Sequence, residues 1–482
     1  MTLRFPLRPW GLALAAAVSP ALAAAPAELA EIKAQIEQLK AAYEQRIAAL
    51  EGRLAQAEAR AGSADVAARS AQSDGKTAQA TGAAASSGSR AGLATAFNPE
   101  VSLILQGQYK QMKNLPERGI TGFWPAAGHT HDGGDADKRG FSLGHTELVL
   151  AANVDPYWRG QAILALVDSE VEVEEAWFQA TGLGDGMGLK GGRFRSSIGY
   201  LNEQHPHQWD FADAPLAYAA LFGKEGSYTQ DGLQFKWVAP TETFLELGAE
   251  VGRGQKFPGS ERNKNGSGAG AVFAHVGGDV GVAQSWRAGV AYLRTSTRGR
   301  EAEIRDVGGL EGQGMFSGQA ATWLADFVWK WAPNGNPKYE NFKFQGEYFQ
   351  RREKGSLACA DENASGNACN GLADSYRRRQ SGGYVQGVYQ LTPQWRAGYR
   401  YDRLASGSPH IGASLAPRLD FASAVLDRYH PTRHSLMGDY SWSEYSRLRL
   451  QFAWDKSMPG VTDRQITLQY IVSLGAHGAH KF

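Results

Sequence analysis

The stretch Arg447-Leu448-Arg449-Leu450-Gln451-Phe452-Ala453-Trp454-Asp455 has apolar residues at the even positions and mostly polar residues at the odd ones. The same period of two recurs in residues 395–402 and 342–348. Such alternation predicts a β-strand with one apolar and one polar face. Aromatic residues are frequent near the ends of the apolar faces, as is typical of strands that end at a membrane interface. We therefore expect strands with lipid on one face and water on the other, rather than a soluble sandwich.

Segments of this kind recur after residue 98 and are bounded by turn residues. They span about residues 101–110, 139–153, 158–167, 171–183, 188–199, 228–238, 244–254, 268–277, 284–295, 318–332, 339–353, 376–391, 395–404, 432–443, 447–457 and 462–475. About sixteen strands, an even number, predict a closed antiparallel barrel with both termini on one side. We thus predict an all-β transmembrane fold, an outer-membrane β-barrel of about sixteen antiparallel strands over residues 98–482, preceded by an α-helical coiled coil.

The connections between these segments alternate in length. Short turns such as 155–157, 184–187, 239–243, 392–394 and 444–446 alternate with a second set that is mostly long. The long set includes residues 111–138, 200–227, 296–317, 354–375 and 405–431. Outer-membrane barrels have short periplasmic turns and longer external loops, so the pattern favours this class of barrel.

The first 97 residues divide into three predicted segments. Residues 1–25 have a basic start, a short apolar run and the small residues Ala21-Leu22-Ala23, which predicts an export signal peptide. Residues 26–61 form a predicted periplasmic coiled coil, in which a trimer is favoured, with a dimer or a solvated single helix as alternatives. Residues 62–97, rich in Ala, Gly and Ser, are a predicted flexible linker. The heptad positions are Leu29, Ile32, Ile36, Leu39, Tyr43, Ile47, Leu50 and Leu54.

Composition excludes several classes of protein. The 482 residues include 50 Lys and Arg against 49 Asp and Glu, a balance that does not suggest a nucleic-acid partner. After residue 25 no run approaches the roughly 18 apolar residues that a spanning helix needs, which excludes a helical membrane protein. The two cysteines, Cys359 and Cys369, lie in a polar stretch and are predicted to form a loop disulfide, with a metal site as the alternative.

Motifs in residues 171–218 resemble a known family of barrels. Val173-Glu174-Glu175-Ala176-Trp177-Phe178 and Leu189-Lys190-Gly191-Gly192-Arg193-Phe194-Arg195 resemble the trimeric outer-membrane porins, in particular the phosphate-selective type with an N-terminal coiled coil. Ile198-Gly199-Tyr200-Leu201-Asn202-Glu203-Gln204-His205-Pro206-His207 is similar to barrels labelled zinc-regulated outer-membrane receptors, some of which are called TonB-dependent. A gated receptor of that class resembles a 22-stranded barrel with a plug domain, for which residues 26–97 leave no room.

The resemblance to porins implies that the third external loop, residues 200–227, folds into the lumen and sets the pore constriction. The candidate constriction residues are Glu203, His205, His207, Asp210 and Asp213. The candidate basic residues of the lumen wall are Arg193, Arg195, Arg287, Lys343, Arg396, Arg400, Arg447 and Arg449. A basic wall opposite an acidic loop would create a transverse field. Alternatively, these basic residues only pair with luminal carboxylates, so the sequence leaves the preference for anions or cations open.

Two groups of histidines and carboxylates are candidate metal ligands. Glu203, His205, His207 and Asp210 lie within eight residues, and His129 and His131 lie in the first external loop. Imidazole and carboxylate groups are ligand types that Zn²⁺ accepts. The hypothesis is transient zinc binding without a resident cofactor, and its alternative is that these loop residues only confer solubility.

The sequence favours transport over catalysis. We find neither a hydrolase nucleophile elbow nor an H-E-x-x-H motif, so we expect no enzyme. The predicted protein is an outer-membrane porin of a Gram-negative bacterium, a passive diffusion channel for small hydrophilic solutes or ions, with zinc uptake as a further hypothesis. Its expected partners are outer-membrane lipid, copies of itself in a homotrimer and, as a candidate, peptidoglycan. The alternatives are a gated metal receptor and a structural barrel that tethers the envelope.

Overall fold

The computed structural model describes residues 100–115, 118–124, 138–167, 170–224, 226–260, 263–360 and 366–475. The predicted signal peptide, coiled coil and linker, residues 1–97, lie outside the described residues. His129 and His131 lie outside them as well.

Sixteen long strands occur within the described part of the chain, as the alternation predicts. They are β1 Glu100–Gln111, β2 Thr146–Asn153, β3 Trp158–Val167, β4 Glu170–Ala180, β5 Met187–Arg195, β6 Thr229–Val238, β7 Phe244–Gly252, β8 Ala269–Val280, β9 Gln284–Arg305, β10 Glu311–Trp331, β11 Asn341–Ala360, β12 Ala373–Gln390, β13 Trp395–Ala405, β14 Thr432–Ser443, β15 Ser446–Lys456 and β16 Asp463–Gly475. Two short strands, Gly140–Ser142 and His410–Ile411, pair with β1 and β12 respectively.

Each long strand pairs antiparallel with its neighbours along the chain, and the sheet closes on itself. Closure joins β1 to β16, with Leu103 opposite Leu474 and Gln111 opposite Ile466. A closed sheet has no edge strand with unpaired backbone groups, which is what a strand needs in order to cross lipid. The predicted sixteen-stranded antiparallel barrel is therefore confirmed.

The alternation in β15 shows which face of the barrel is polar. Leu450 and Phe452 are 41% and 40% exposed on the outside, whereas Arg449 and Gln451 are 0% and 3% exposed and point inward. The polar side chains thus fill the interior and the apolar ones face outward, the reverse of a soluble domain and as expected of a barrel in lipid. Among the described residues, no helix combines the length and apolar character needed to cross a membrane.

The barrel has a short-turn end and a long-loop end, but two of the predicted long connections are wrong. Residues 296–317 are mostly strand, because β9 extends to Arg305 and β10 begins at Glu311. The connection predicted at residues 354–375 is shorter than expected, because β11 extends to Ala360 and β12 begins at Ala373. In these extensions the apolar residues, such as Ile304, Phe316 and Leu357, point inward and the outward face is polar, so the outward apolar residues that mark a lipid-facing strand are missing. Cys359 and Cys369 form a disulfide with a Cα–Cα distance of 5.7 Å at the end of the β11–β12 hairpin.

Candidate functional site

Residues 196–228, the inward loop, connect β5 to β6 and turn into the barrel. Asn202 holds both ends of this loop. Its Nδ2 donates to Ser196 O at 2.6 Å and to Tyr228 O at 3.0 Å, and its Oδ1 accepts a hydrogen bond from Tyr228 N at 2.6 Å. Because the Asn202 side chain is fully buried, these bonds are shielded from water and hold the two ends of the loop together.

The inward loop contains a short helix, α1 Leu216–Phe222, whose Leu and Ala residues favour a helix. Leu216 N donates to Asp402 Oδ1 at 2.8 Å, and Tyr218 Oη donates to Glu347 Oε2 at 2.7 Å. Both acceptors belong to the barrel wall, on β13 and β11, so polar contacts fix the helix inside the lumen. Its apolar side chains pack in one buried cluster with Phe123, Leu324, Phe349, Tyr384 and Leu404.

Asp210 joins the inward loop to two cations of the wall. Its carboxylate pairs with Lys343 Nζ and, at 3.2 Å, with Arg396 Nη1. Gln386 Nε2 donates to the same carboxylate at 3.1 Å. Burial raises the pKa of Asp210, but the charges of Lys343 and Arg396 outweigh it and hold the pKa below its ordinary value.

A second set of charged contacts lies further along the loop, at Asp213. Arg400 Nη2 contacts Asp213 Oδ1 at 2.8 Å, and Arg433 Nη1 contacts Asp213 Oδ2 at 2.9 Å. Arginines of β15 also donate to loop carbonyls, Arg447 to His207 O at 2.6 Å and Arg449 to Trp209 O at 2.8 Å. The wall therefore binds both side chains and backbone of the loop, and these arginines are paired rather than solvated.

A cavity of about 1520 Å³ lies between the inward loop and the short-turn end of the barrel. Its lining includes loop residues from Tyr200 to Asp210 and residues of the short turns at Pro393 and Glu444. Among the described lining residues, nine are Lys or Arg and five are Asp or Glu. The cavity is therefore polar, with an excess of positive charge.

One side of this cavity holds a cluster of histidines and glutamates, the His–Glu cluster, formed by His145, Glu147, Glu174, His205 and His207. His205 Nδ1 lies 3.2 Å from Glu147 Oε2 and 3.1 Å from Glu174 Oε2. His207 Nδ1 lies 3.1 Å from Glu147 Oε1. His145 Nε2 contacts Glu174 Oε1 and lies 3.5 Å from Glu147 Oε1.

The His–Glu cluster gathers residues that are far apart in the sequence. Glu147 lies on β2, His145 directly precedes that strand, and the two other histidines come from the inward loop. Glu174 is the extra residue of a β-bulge, because Ile163 pairs with Glu175 and Leu164 with Val173. A bulge lets two successive residues escape strict alternation, and here both Glu174 and Glu175 contact luminal groups.

The electrostatics of the His–Glu cluster favour positive charge. Burial and the nearby Arg195 lower the pKa of His205, but Glu147 and Glu174 outweigh them and raise it to about 9. Burial also lowers the pKa of His145, and the contact with Glu174 again raises it above its ordinary value. The carboxylates thus stabilise a cation at these imidazoles.

The structure separates the predicted metal ligands. His205 and His207 meet carboxylates, but not the predicted ones. Glu203 contacts Lys236 Nζ at 3.0 Å, and Asp210 pairs with Lys343 and Arg396 as described above. His145, Glu147 and Glu174 were missed, since a sequence does not show which strands become neighbours of a loop. The H-x-E spacing of His145 and Glu147 was the available signal, because residues two apart in a strand share a face.

The predicted basic wall residues fall into three groups. Arg195, Arg287, Lys343, Arg396 and Arg447 line the cavity. Arg400 and Arg449 are fully buried against the inward loop. Arg193, by contrast, was wrongly predicted to be luminal: it lies on the outer face, where its Nε contacts Asp231 Oδ1 at 2.7 Å. Its cross-strand partner Asp231 shares the outward parity of Leu233 and Phe235, and only after β5 ends at Arg195 does the chain turn inward.

A serine motif in the described chain lacks the structure that catalysis requires. Gly140-Phe141-Ser142-Leu143-Gly144 has the spacing G-x-S-x-G. Ser142, however, pairs with Gln108 of β1, and the next element is the strand β2. A hydrolase nucleophile elbow needs a strand followed by a helix, so this segment is not one.

No family model matches the chain. A protein of Aquifex aeolicus (strain VF5), described as uncharacterized, is 29% identical over 411 residues, which cover 80% of each chain. Similar solved structures include OmpT, an outer membrane protein of Vibrio cholerae, with a TM-score of 0.46, 10% identity and coverage of 79% of this chain and 98% of that one. The outer membrane channel DcaP of Acinetobacter baumannii has a TM-score of 0.43 and 12% identity, covering 81% of this chain and 100% of that one. An anion-selective porin from Comamonas acidovorans has a TM-score of 0.45 and 9% identity, covering 78% of this chain and 100% of that one.

Proposed function

We propose that the protein is a porin-type channel of a Gram-negative outer membrane, through which small hydrophilic solutes or ions diffuse. The observation that carries the proposal is the polar cavity of about 1520 Å³ inside a barrel whose outer face is apolar. The alternation of short turns and long loops supports an orientation with the long loops outside the cell. No catalytic step is part of this function.

In this proposal the inward loop determines the width and the charge of the narrowest part of the channel. The constriction is formed by residues that line the cavity: Glu203, His205, His207 and Asp210. Asp213 fixes the loop to the wall through its contact with Arg400. The cavity favours anions, because its nine basic residues outnumber its five acidic ones and the low-dielectric wall strengthens their field.

We further propose that the protein works as a homotrimer, held together by the heptads of residues 26–61 as well as by the barrels. The small Ala, Gly and Ser residues of the linker give the coiled coil freedom to reach through the periplasm. Outer-membrane lipid surrounds the barrel, and peptidoglycan is a candidate partner of the periplasmic segment. Zinc uptake remains a hypothesis within this function and depends on the histidines of the lumen.

The test is the current carried by single molecules of the purified full-length protein in a planar lipid bilayer under a gradient of potassium chloride. Stable current steps in groups of three are expected, with a reversal potential displaced toward that of chloride. A reversal potential displaced toward potassium would contradict the anion preference alone. A silent bilayer, obtained with barrels whose folding is shown by circular dichroism, would overturn the diffusion channel.

A gated barrel is the second candidate, favoured by one observation. The apolar residues of α1 pack against Phe349 and Leu404 of the wall, on the long-loop side of the cavity. If this packing blocks passage, wild-type protein is silent, and replacing α1 restores conductance. A variant that is also silent favours a structural barrel that tethers the envelope.

A further inference from the structure

We propose that His145, Glu147, Glu174 and His205 bind a divalent transition-metal ion, with Zn²⁺ as the best fit, which fastens the inward loop to strands β2 and β4. The inference goes beyond the proposed function and holds whether or not the barrel conducts. It also differs from the metal hypothesis based on the sequence, because two ligands come from the wall and a third from the residue that precedes β2.

The candidate ligand atoms lie close together around the carboxylates of Glu147 and Glu174. Two ligand atoms on a tetrahedral Zn²⁺, each about 2.0–2.1 Å from the metal, lie about 3.3 Å apart. His205 Nδ1 lies 3.2 Å from Glu147 Oε2 and 3.1 Å from Glu174 Oε2, and His145 Nε2 contacts Glu174 Oε1. One ligand atom from each of His145, Glu147 and Glu174 falls within 4.8 Å of the others.

The same atoms lack hydrogen-bond geometry. His145 Nε2, Glu147 Oε2 and His205 Nδ1 are buried and have no hydrogen-bond partner. Even so, His205 Nδ1 lies 3.2 Å from Glu147 Oε2, and His145 Nε2 contacts Glu174 Oε1. The Glu147 side chain is 0% exposed, so water does not compensate for the missing bonds. Ligand atoms around a metal ion point their lone pairs at a common centre rather than at one another's protons. Buried polar atoms without a hydrogen bond are rare unless an ion or a proton network satisfies them.

The net negative charge of the site is balanced by two positive charges. Glu147, Glu174 and Glu175 carry three negative charges, and Arg195 Nη2, at 3.3 Å from Glu174 Oε2, supplies one positive charge. With neutral imidazoles, a net charge of −2 remains in a buried place. One divalent cation neutralises it, and imidazole with carboxylate ligands favours zinc among the divalent ions.

His207 has a positioning role in this site. Its Nδ1 contacts Glu147 Oε1 at 3.1 Å, on the carboxylate oxygen that does not face His205. A hydrogen bond of this kind orients a ligating carboxylate and strengthens its bond to the metal. The loop thus supplies one ligand and the group that orients another.

The experiment measures zinc binding by the full-length protein in detergent after removal of metal with a chelator. Competition with a chromophoric zinc chelator gives the affinity, and Co²⁺ substitution gives an absorption spectrum that reports tetrahedral coordination. Wild type is expected to bind one zinc per chain at this site. His205→Ala, which alters only the loop, is expected to lose affinity by about tenfold or more and to lose the Co²⁺ spectrum.

The matched control is His275→Ala. His275 is also a buried histidine, and its Nδ1 lies 2.9 Å from Glu246 Oε1, but it lies outside the His–Glu cluster. The variant His275→Ala is expected to bind zinc with the affinity of wild type. A second variant, Glu147→Gln, is expected to resemble His205→Ala, and circular dichroism shows whether it folds. Equal zinc affinity in His205→Ala and wild type would overturn the site. Folded wild-type protein that binds no zinc would overturn it as well, and would mean that protonated imidazoles supply the positive charge.

Discussion

Asp210 is the residue through which the loop neutralises two cations of the cavity, Lys343 and Arg396. The substitution Asp210→Asn removes a negative charge and leaves both cations in the lining. We therefore expect the reversal potential in a salt gradient to move further toward chloride. Asp231→Asn is the control, because Asp231 also pairs with an arginine but on the outer face. An equal shift in both variants would show that the effect does not arise in the lumen.

Glu353 stabilises a buried charge at the long-loop end. Its carboxylate contacts Arg300 at 2.7 Å and Arg351 at 3.6 Å, and all three side chains are 1% exposed or less. Glu353→Gln leaves two buried guanidinium groups without a counter-ion, so the free energy of unfolding is expected to fall by about 3–5 kcal/mol. Chemical denaturation in detergent measures it. The control Glu311→Gln, at a side chain 62% exposed and paired with Arg305, is expected to cost less than about 1 kcal/mol.

At the scale of single residues, the sequence identified two of the five residues of the His–Glu cluster. His205 and His207 stand out because two histidines flank a proline in a long loop. Glu147 and Glu174 do not, since a carboxylate on the polar face of a strand is ordinary in a barrel. Their proximity depends on strand pairing, and the inward position of Glu174 depends on a β-bulge that no residue of β4 predicts. Contacts between segments far apart in the chain could therefore not be predicted from the sequence.

At the scale of elements, the strands were predicted better than the loops. Alternation identified all sixteen strands because lipid imposes an apolar residue at every second position. The prediction failed at the long-loop end, where β9 to β12 continue with a polar outer face and with apolar residues such as Ile304 and Leu357 inside. It also merged residues 139–153 into one strand, although the chain forms Gly140–Ser142 and β2, with His145 between them. Without lipid on the outer face, the outward apolar residues that identified the other strands are absent.

Helix α1 is the element that most restricts the lumen. It packs against β11, β12 and β13 through Tyr218, Leu221 and Phe222. Replacing Leu216–Phe222 with a Gly-Ser segment of equal length removes these side chains, so we expect a larger conductance per step in planar bilayers. Replacement of residues 307–310, in the turn between β9 and β10, is the control and should leave the conductance unchanged. If both variants conduct like wild type, the current does not pass beside α1.

The ion pairs of the inward loop predict its response to acid. Burial raises the pKa values of Asp210 and Asp213, but the adjacent cations outweigh burial and lower both below the ordinary value of 3.8. Because the folded-state pKa is depressed, this stabilisation is complete above that value and is lost as the pH falls below it. We expect constant single-channel conductance from about pH 7 to about pH 5, and a change only below about pH 3.8. A change between about pH 7 and about pH 5, retained in Asp210→Asn, would contradict this expectation and show that another group controls the response.

At the scale of the whole molecule, the barrel reverses the usual distribution of polarity. Arg400 and Arg449 are almost fully buried inside, while Trp323 and Tyr348 are more than half exposed outside. These two arginines are stable inside because each meets a carboxylate, Asp213 for Arg400 and Asp439 for Arg449. The exposed aromatic and aliphatic side chains are stable only where lipid replaces water. The apolar outer face of the barrel therefore depends on lipid in the way that the core of a soluble protein depends on its own packing.

A lipid-facing substitution tests this view directly. Leu450 lies at the middle of β15 and is 41% exposed on the outer face. Leu450→Lys places a charge near the centre of the bilayer, so we expect the free energy of unfolding from phospholipid vesicles to fall by about 2–4 kcal/mol. Urea titration followed by tryptophan fluorescence measures this change. Leu310→Lys is the same substitution at an exposed turn on the long-loop side and should have little effect. If both variants unfold at the same urea concentration as wild type, the outer face of β15 does not contact the hydrocarbon core.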